Sequence, residues 1–424
     1  MTSEVRYDEA YVWIWLPGAK DPLVAGRLSR DGKKILFNYG RSYLQHRDRI
    51  AIYHPELPLE PGILPLVPGL SMPSAIRDAS PDAWGRRVII NRTLGKKADK
   101  IDGAELDELT YLLESGSDRI GALDFQLSAT DYVPRQRHAA SLSELMESAE
   151  RVEKRLPLTP ELDQALQHGT SLGGARPKVL IDAEGIKFIA KFSATNDLHN
   201  VVKAEYVAMR LAAIAGLAVA PVRLERAMGK DVFMVERFDR VQAQDAWHRR
   251  AIVSALTMLE LDEMMARYAS YEDLAEIIRH RFVDPTRTLR ELFGRLVFNI
   301  LCGNTDDHAR NHAAFWDGQS LAMTPAYDIC PQIRAGGEAG QAMLISGQVN
   351  ASQLRHCLEA SPAFLLSADE AKAIVRHQTA AIREHWDGVC DDAQLNAGER
   401  DLLWNGAFFK PYAFEGLPAD MAEL

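Results

Sequence analysis

Two acids and an amide are the side chains of this sequence whose spacing most directly suggests chemistry. Asp306 and Asn311 stand five residues apart in the polar segment Asn304-Thr-Asp-Asp-His-Ala-Arg-Asn311, and Asp328 follows seventeen residues later. Carboxylate and amide oxygens are hard ligands of the kind Mg2+ takes. The five-residue interval lets one loop present both a catalytic Asp and a metal-binding Asn to a transferring phosphate. Upstream, Gly173 and Gly174 lie in the loop Ser171-Leu-Gly-Gly-Ala-Arg-Pro-Lys178, where backbone lacking Cβ can approach phosphate oxygens. Lys191, one strand further on, offers a point charge, and Glu205 on the next helix could hold it in place. The backbone edge of Val232–Phe238 would face a purine. These are the parts that phosphoryl transfer from ATP requires, and they come in the required order.

Each part also has a plainer reading. The Gly-Gly pair serves as a turn, Lys191 as a solubility lysine on an edge strand, and Glu205 as a solvated helix residue. The Asp306–Asn311 segment could be a helix-capping cluster, and Ser171 a hydroxyl capping a turn, with Thr170 beside it. His308 and His312 stand at i, i+4 and suggest zinc, but the Glu of an HExxH motif is absent. The joint order and spacing of the parts favours phosphoryl transfer over these separate readings.

The elements that must position these residues can be read from periodicity and turn signals. Residues 1 to about 60 are β-rich, with short runs at Tyr11–Trp15, Leu23–Leu28 and Lys34–Asn38 and a hairpin signal at Asp31-Gly32. Prolines from Pro55 to Pro68 make a stiff connector. Helical patterns follow from Ser80-Pro81-Asp82 and over 105–117 and 141–154, with Trp84 and Val88 on one face. Strands are expected at Val179–Ile181, Ile186–Phe192, Ala218–Leu224 and Val232–Val235. A helix runs from Val201 to Ile214 and closes at Gly216. Beyond it, helices are expected over 251–267, 271–280 and 286–301. The polar loop and a hairpin (Ala313–Trp316, Leu321–Thr324) come next, and mostly helix from there to Trp404.

With 424 residues the chain predicts two to four compact units, and 47% hydrophobic with 25% charged residues is an ordinary globular mix. Its net charge of −10 argues against a general polyanion binder acting alone. Four dispersed cysteines without a CxxC pair argue against a zinc ribbon or a secreted disulfide scaffold. The N-terminal residues lack a signal-peptide pattern, and no apolar run reaches membrane-spanning length, so the expected setting is a reducing cytoplasm with no membrane.

Taken together, Ser171–Lys178, Asn304–Asn311 and Ala326-Tyr-Asp-Ile329 resemble the signature segments of HipA-type serine/threonine kinases, the toxins of HipBA-like type II toxin–antitoxin modules. Phe233-Met-Val-Glu-Arg-Phe-Asp-Arg240 resembles that family's nucleotide-contacting linker. The resemblance implies an α+β fold: a protein-kinase-like two-lobed core, a small β-rich N-terminal subdomain and a mostly helical C-terminal lobe. It divides the chain into a HipA-like N-terminal subdomain (1–125), a kinase-like N-lobe with the Gly-rich loop and hinge (126–240) and a helical C-lobe with the catalytic loop (241–424).

Carried over residue by residue, the resemblance makes Asp306 the catalytic base and Asn311 and Asp328 the Mg2+ ligands. Gly173, Gly174, Ala175, Lys178 and Lys191 would contact the phosphates of ATP. Glu236, Arg237 and Phe238 would hold the adenine, with His308 and Tyr327 lining the nucleotide site and Ser171 as an inhibitory autophosphorylation site. It further implies a HipB-like helix-turn-helix antitoxin, operator DNA reached through that antitoxin, and a protein substrate of the aminoacyl-tRNA synthetase type. Asp307, where well-known members have Gly, and Arg176-Pro177, replacing Gln-Glu, depart from the family pattern. Two further readings are a small-molecule kinase of the aminoglycoside or choline kinase type and a catalytically inactive corepressor module.

Overall fold

Side chains alternate across paired strands, and this alternation decides which residues of the first half of the chain face its core. The computed structural model describes residues 6–94, 106–135, 142–154, 156, 176–193, 197, 199–243 and 246–424. Two compact units emerge: residues up to 196 with 226–253 and 315–319, and residues 197–225 with 254–314 and 320–424.

In the first unit, β1 (Glu9–Ile14), β2 (Leu23–Asp31), β3 (Lys34–Tyr39), β4 (Ile63–Leu64) and β5 (Leu123–Gln126) form a sheet in the order β4-β3-β2-β1-β5. Asp31 pairs with Lys34, so the hairpin turns on Gly32-Lys33, one residue later than the Asp31-Gly32 signal suggested, with Gly32 at φ +60. The same unit contains the helices α1 (Ala83–Leu94) and α2 (Glu108–Glu114), which precede β5, and α3 (Leu142–Glu153), which follows it. The Asp107 carboxylate caps α2 by accepting from the Leu109 and Thr110 N–H groups.

A second sheet contains β6 (Lys178–Ala183), β7 (Ile186–Phe192) and β8 (Lys230–Glu236), with β7 pairing antiparallel to both of the others. The tight β6–β7 turn needs left-handed backbone at two positions, and Glu184 and Gly185 adopt φ +53 and +74. Val179, Phe188, Ala190, Phe192, Val232 and Met234 share one core with Trp84 and Val88 of α1 and with Leu145 and Val152 of α3. The two helices thus cover one face of this sheet. By alternation Lys178, Lys191 and Phe233 lie on the opposite face.

The same unit buries a network of charge. Asp239 accepts from Arg237 Nε and Nη2 (2.9 and 2.8 Å), Arg240 Nη1 (2.8 Å) and the Gly121 N–H (2.8 Å). Asp118 accepts from both arginines, and Arg119 pairs with Asp124 at 2.9 Å. Burial alone would push the Asp239 carboxyl up, but the two guanidiniums hold it well below its ordinary range.

The second unit is mainly helical. It contains α4 (Val201–Ile214), α5 (Tyr271–Arg281), α6 (Pro285–Leu301), α7 (Leu354–Ala360), α8 (Ala368–Asp392) and α9 (Ala397–Gly406). Sequence-local caps set several starts: Asn200 for α4, Ser270 for α5, Asp284 with Pro285 at the first turn of α6, and capping boxes Ser367/Glu370 and Asn396/Glu399 for α8 and α9.

Two expected helices differ. The stretch 251–267 is a strand (Ala251–Ser254), a single helical turn (Ala255–Met258) and a 3-10 helix (Glu263–Tyr268). Ile252 and Val253 favour extended backbone, Ser254 caps anew, and Glu260 at φ +58 stops the helix before Asp262 starts another turn. The helix expected after Asp328 begins only at Leu354, because 329–353 is irregular chain interrupted by Gly336, Gly337, Gly340 and Gly347.

Candidate active site

The loop that carries Asp306 begins where α6 ends. Gly303 takes φ +70, and a Cβ there would lie 2.4 Å from the Ala407 carbonyl oxygen, so only glycine lets the chain leave the helix in this direction. Asn304 Nδ2 then donates to Asn299 Oδ1 (2.9 Å), and the Thr305 carbonyl accepts from the Ala342 N–H (3.1 Å). Asp306 is exposed. Its carbonyl accepts from the His308 N–H (2.9 Å) and from Asn311 Nδ2 (3.2 Å). With its nitrogen so engaged, buried Asn311 has Oδ1 as the atom to offer a cation.

Asp328 is half-buried and adopts φ +60, a left-handed conformation that costs an aspartate of order 1 kcal/mol. Its segment is held from both sides. The Ala326 N–H donates to the Ala218 carbonyl (2.7 Å), the Ala220 N–H donates to the Ala326 carbonyl (3.0 Å), and Tyr327 donates its hydroxyl to the Arg310 carbonyl (2.7 Å). Tyr327 therefore ties the Asp328 segment to the loop beside Asn311. The expected hairpin between them is present, with strands Ala313–Trp316 and Leu321–Met323, and Thr324 N–H donates to the Ala313 carbonyl at its base. The Asn311 amide oxygen and the Asp328 carboxylate are oxygen donors of the kind Mg2+ takes.

The neighbouring histidines have separate surroundings. His308 is half-buried, and its Nδ1 is buried with no hydrogen-bond partner among the described residues. His312 is buried with Nε2 3.0 Å from the Asp307 carboxylate, and no group of three or more His, Cys, Asp or Glu able to hold a metal occurs among the described residues.

In the first unit, Lys178 and Lys191 are direct cross-strand partners, and both are largely buried. Lys191 Nζ also lies 5.9 Å from the Phe233 ring centroid. β7 is flanked by β6 and β8, which removes the edge-strand reading of Lys191; Glu205, on α4 in the second unit, is only 2% exposed, which removes the solvated reading.

The expected purine edge is narrower than the sequence suggested. Glu236 pairs with Phe188, and the Arg237 N–H donates to the Lys187 carbonyl (2.8 Å), so the β7-facing side is occupied by sheet bonds. The Arg237 guanidinium belongs to the buried network with Asp118 and Asp239 and is not available to a base. Phe238 is half-buried and packs edge-on against Phe315. Ser171, Gly173, Gly174 and Ala175 lie outside the described residues.

Sequence reasoning took Asp307 only as a departure from the family pattern and His312 only as half of a zinc spacing, and it passed over Tyr271 and Arg310. Asp307 is buried and accepts from the Tyr271 hydroxyl and from His312, while Arg310 bonds Glu263 at 2.6 Å. A signal was present: Asp307 and His312 repeat, one residue on, the five-residue interval of Asp306 and Asn311.

The fold is that of a kinase-like α+β protein. It superposes on a chain of the Shewanella oneidensis HipA–HipB–operator DNA complex with a TM-score of 0.64 at 18% identity, covering 92% of this chain and 94% of that one. The HipA-like C-terminal domain model matches residues 170–386, more than half of the chain, and the HipA N-terminal domain model matches residues 15–126. The chain belongs to the HipA family. It is similar to the Sinorhizobium fredii protein Y4mE, 32% identical over 200 residues, 42% of this chain and 46% of that protein. It is also similar to the serine/threonine-protein kinase toxin HipA of Shewanella oneidensis, 25% identical over 183 residues, 38% of this chain and 42% of the relative. In alignment the chain thus spans less than half the length of these two relatives. Among the described residues no helix is long and apolar enough to cross a membrane.

Proposed function

We propose that the chain is an ATP- and Mg2+-dependent serine/threonine protein kinase. The observation that carries this reading is the loop in which exposed Asp306 and buried Asn311 are hydrogen-bonded together while Tyr327 binds the Asp328 segment to the same loop. Asp306 would orient an acceptor hydroxyl and take its proton as the hydroxyl oxygen bonds to the γ-phosphorus. The bond from that phosphorus to the β–γ bridging oxygen breaks, and ADP leaves. Asn311 Oδ1 and the Asp328 carboxylate would hold Mg2+, which when bound offsets charge on the phosphate oxygens. In the first unit, Lys178 and Lys191 would bind phosphate oxygens, with Glu236 and Phe238 beside the base and Gly173, Gly174 and Ala175 over the phosphates. In the second, His308 and Tyr327 would line the nucleotide site.

The HipA-family membership supports the wider reading of a toxin that autophosphorylates at Ser171 and is restrained by a HipB-like helix-turn-helix antitoxin. Contact with operator DNA would run through that antitoxin, since the chain itself carries a net charge of −10. A protein of the translation apparatus, of the aminoacyl-tRNA synthetase type, would be the substrate, in a cytoplasmic setting. The test is incubation with γ-labelled ATP and Mg2+. Wild type labels itself, whereas Asp306→Ala and Asp328→Ala do not; equal labelling of all three rejects the assignment.

A further inference from the structure

Asp306 and Asn311 work only if their separation is held, and the residues immediately following each of them are bonded to one another. Asn311 Nδ2 donates to the Asp306 carbonyl at 3.2 Å, and one residue on, His312 Nε2 lies 3.0 Å from Asp307 Oδ2. Two parallel links therefore span the same five-residue interval, one through the proposed catalytic pair and one through their neighbours. The second link is anchored from outside the loop. Tyr271, the first residue of α5, donates its hydroxyl to the same Asp307 oxygen, and its ring meets the His312 ring edge-on at a centroid distance of 5.4 Å. Tyr271 is itself fixed, because its N–H donates to the Leu344 carbonyl (2.9 Å) and Ser270 caps the helix it begins. The His312 carbonyl accepts from the Ala255 N–H at 2.7 Å, which holds the far end of the loop.

Burial makes this arrangement one that is hard to rearrange. Tyr271, His312 and Asp307 are 0, 2 and 3% exposed, so a carboxylate has been removed from water and is satisfied by two side-chain donors. Since the carboxylate accepts, His312 donates from Nε2, and its Nδ1 is left buried without a hydrogen-bond partner among the described residues. A buried carboxylate that loses a donor carries a desolvation penalty, so alternative loop conformations that break the link are disfavoured. The outward orientation of Asp306 follows, since its neighbour is committed inward.

We infer that Tyr271, Asp307 and His312 form a clasp that sets the working separation of Asp306 and Asn311, acting as positioning residues for phosphoryl transfer. The inference rests on the kinase reading above. Because displacement of reacting groups by about 1 Å can cost ~100-fold in rate, loss of the clasp should lower turnover far more than it weakens ATP binding.

The experiment measures ADP release at saturating ATP and Mg2+, together with calorimetric ATP affinity, for wild type, Tyr271→Phe, Asp307→Ala and Asp307→Asn. Asp307→Ala is expected to lose about 100-fold in turnover with a much smaller loss of affinity. Tyr271→Phe should fall between it and wild type, and Asp307→Asn, which retains an acceptor oxygen of the same shape, should recover most of the rate. If Asp307→Ala does not fold, the Tyr271→Phe and Asp307→Asn pair carries the comparison. Wild-type turnover in Tyr271→Phe and Asp307→Ala overturns the clasp; so does a fall in turnover matched by an equal fall in affinity, which would mark general loss of structure. A wild type that releases no more ADP than Asp306→Ala instead overturns the kinase reading on which the clasp depends.

Discussion

Glu56 illustrates how a single buried carboxyl can set a pH response. Its two oxygens accept from the Ser74 and Ala75 N–H groups at 2.5 and 2.8 Å, at the start of a short helix. Burial is the larger influence and pushes its pKa up to about 7 from an ordinary 4.5, against the opposing pull of those two donors. A carboxyl that binds its proton more tightly when folded than when unfolded stabilises the fold at low pH, and that contribution fades as pH rises through the raised value. Stability of the wild type should therefore decline between pH 4.5 and about 7, and Glu56→Gln should flatten the decline. Urea midpoints across that range provide the measurement, and identical slopes for the two proteins would refute the assignment. At the same scale, the paired acids Asp306 and Asp307 show how neighbours in sequence take opposite surroundings, one exposed and one buried.

Helix ends, more than helix interiors, place the candidate site. α5 presents Tyr271 as its first residue, and α6 delivers the chain into the Asp306 loop through Gly303. The left-handed backbone and the Ala407 carbonyl, 2.4 Å from an added Cβ, leave no room for any other residue at position 303. Gly303→Ala should cost ~1–3 kcal/mol of stability, the range for forced left-handed backbone, and should displace the loop enough to reduce turnover at saturating ATP. A variant with wild-type denaturation and turnover would show that the loop adapts without strain. The helices expected from Val201, 271 and 286 begin where expected because their capping residues act within a few residues of their own helices. The break-up of 251–267 was not legible, because its apolar spacing mimics a helix while Ser254, Glu260 and Asp262 divide the path.

Considered whole, the chain joins its N-terminal segment to part of its HipA-like C-terminal domain inside one compact unit. The residues matched by the N-terminal domain model contribute Asp118, Arg119, Gly121 and Asp124, and the later segment contributes Arg237, Asp239 and Arg240. All seven belong to the first unit, so the N-terminal sheet is bound to the proposed nucleotide segment through buried charge. Removing one member of such a network leaves the others desolvated and uncompensated, at a cost of ~3–5 kcal/mol. Asp239→Ala is thus expected to destabilise the whole first unit and to expose 1–126 to protease together with 226–253. Cleavage confined to one of these two stretches would show that they are stabilised independently.

The amino-acid order alone was enough to mark the five-residue interval from Asp306 to Asn311, the hairpin leading to Asp328, the β6–β7 pair that carries Lys191, and the family. Each of these rests on local periodicity, turn chemistry or a short motif, which neighbours along the chain specify. Packing decided the rest. Whether Arg237 faces a ligand or a buried aspartate, whether Lys191 lies on an edge or opposite Lys178, and which way Asp307 turns all depend on partners 2 to 119 positions away in sequence. Hydrogen bonds and burial are short-range in space but not along the chain, so no pattern of residue types by itself could have settled them.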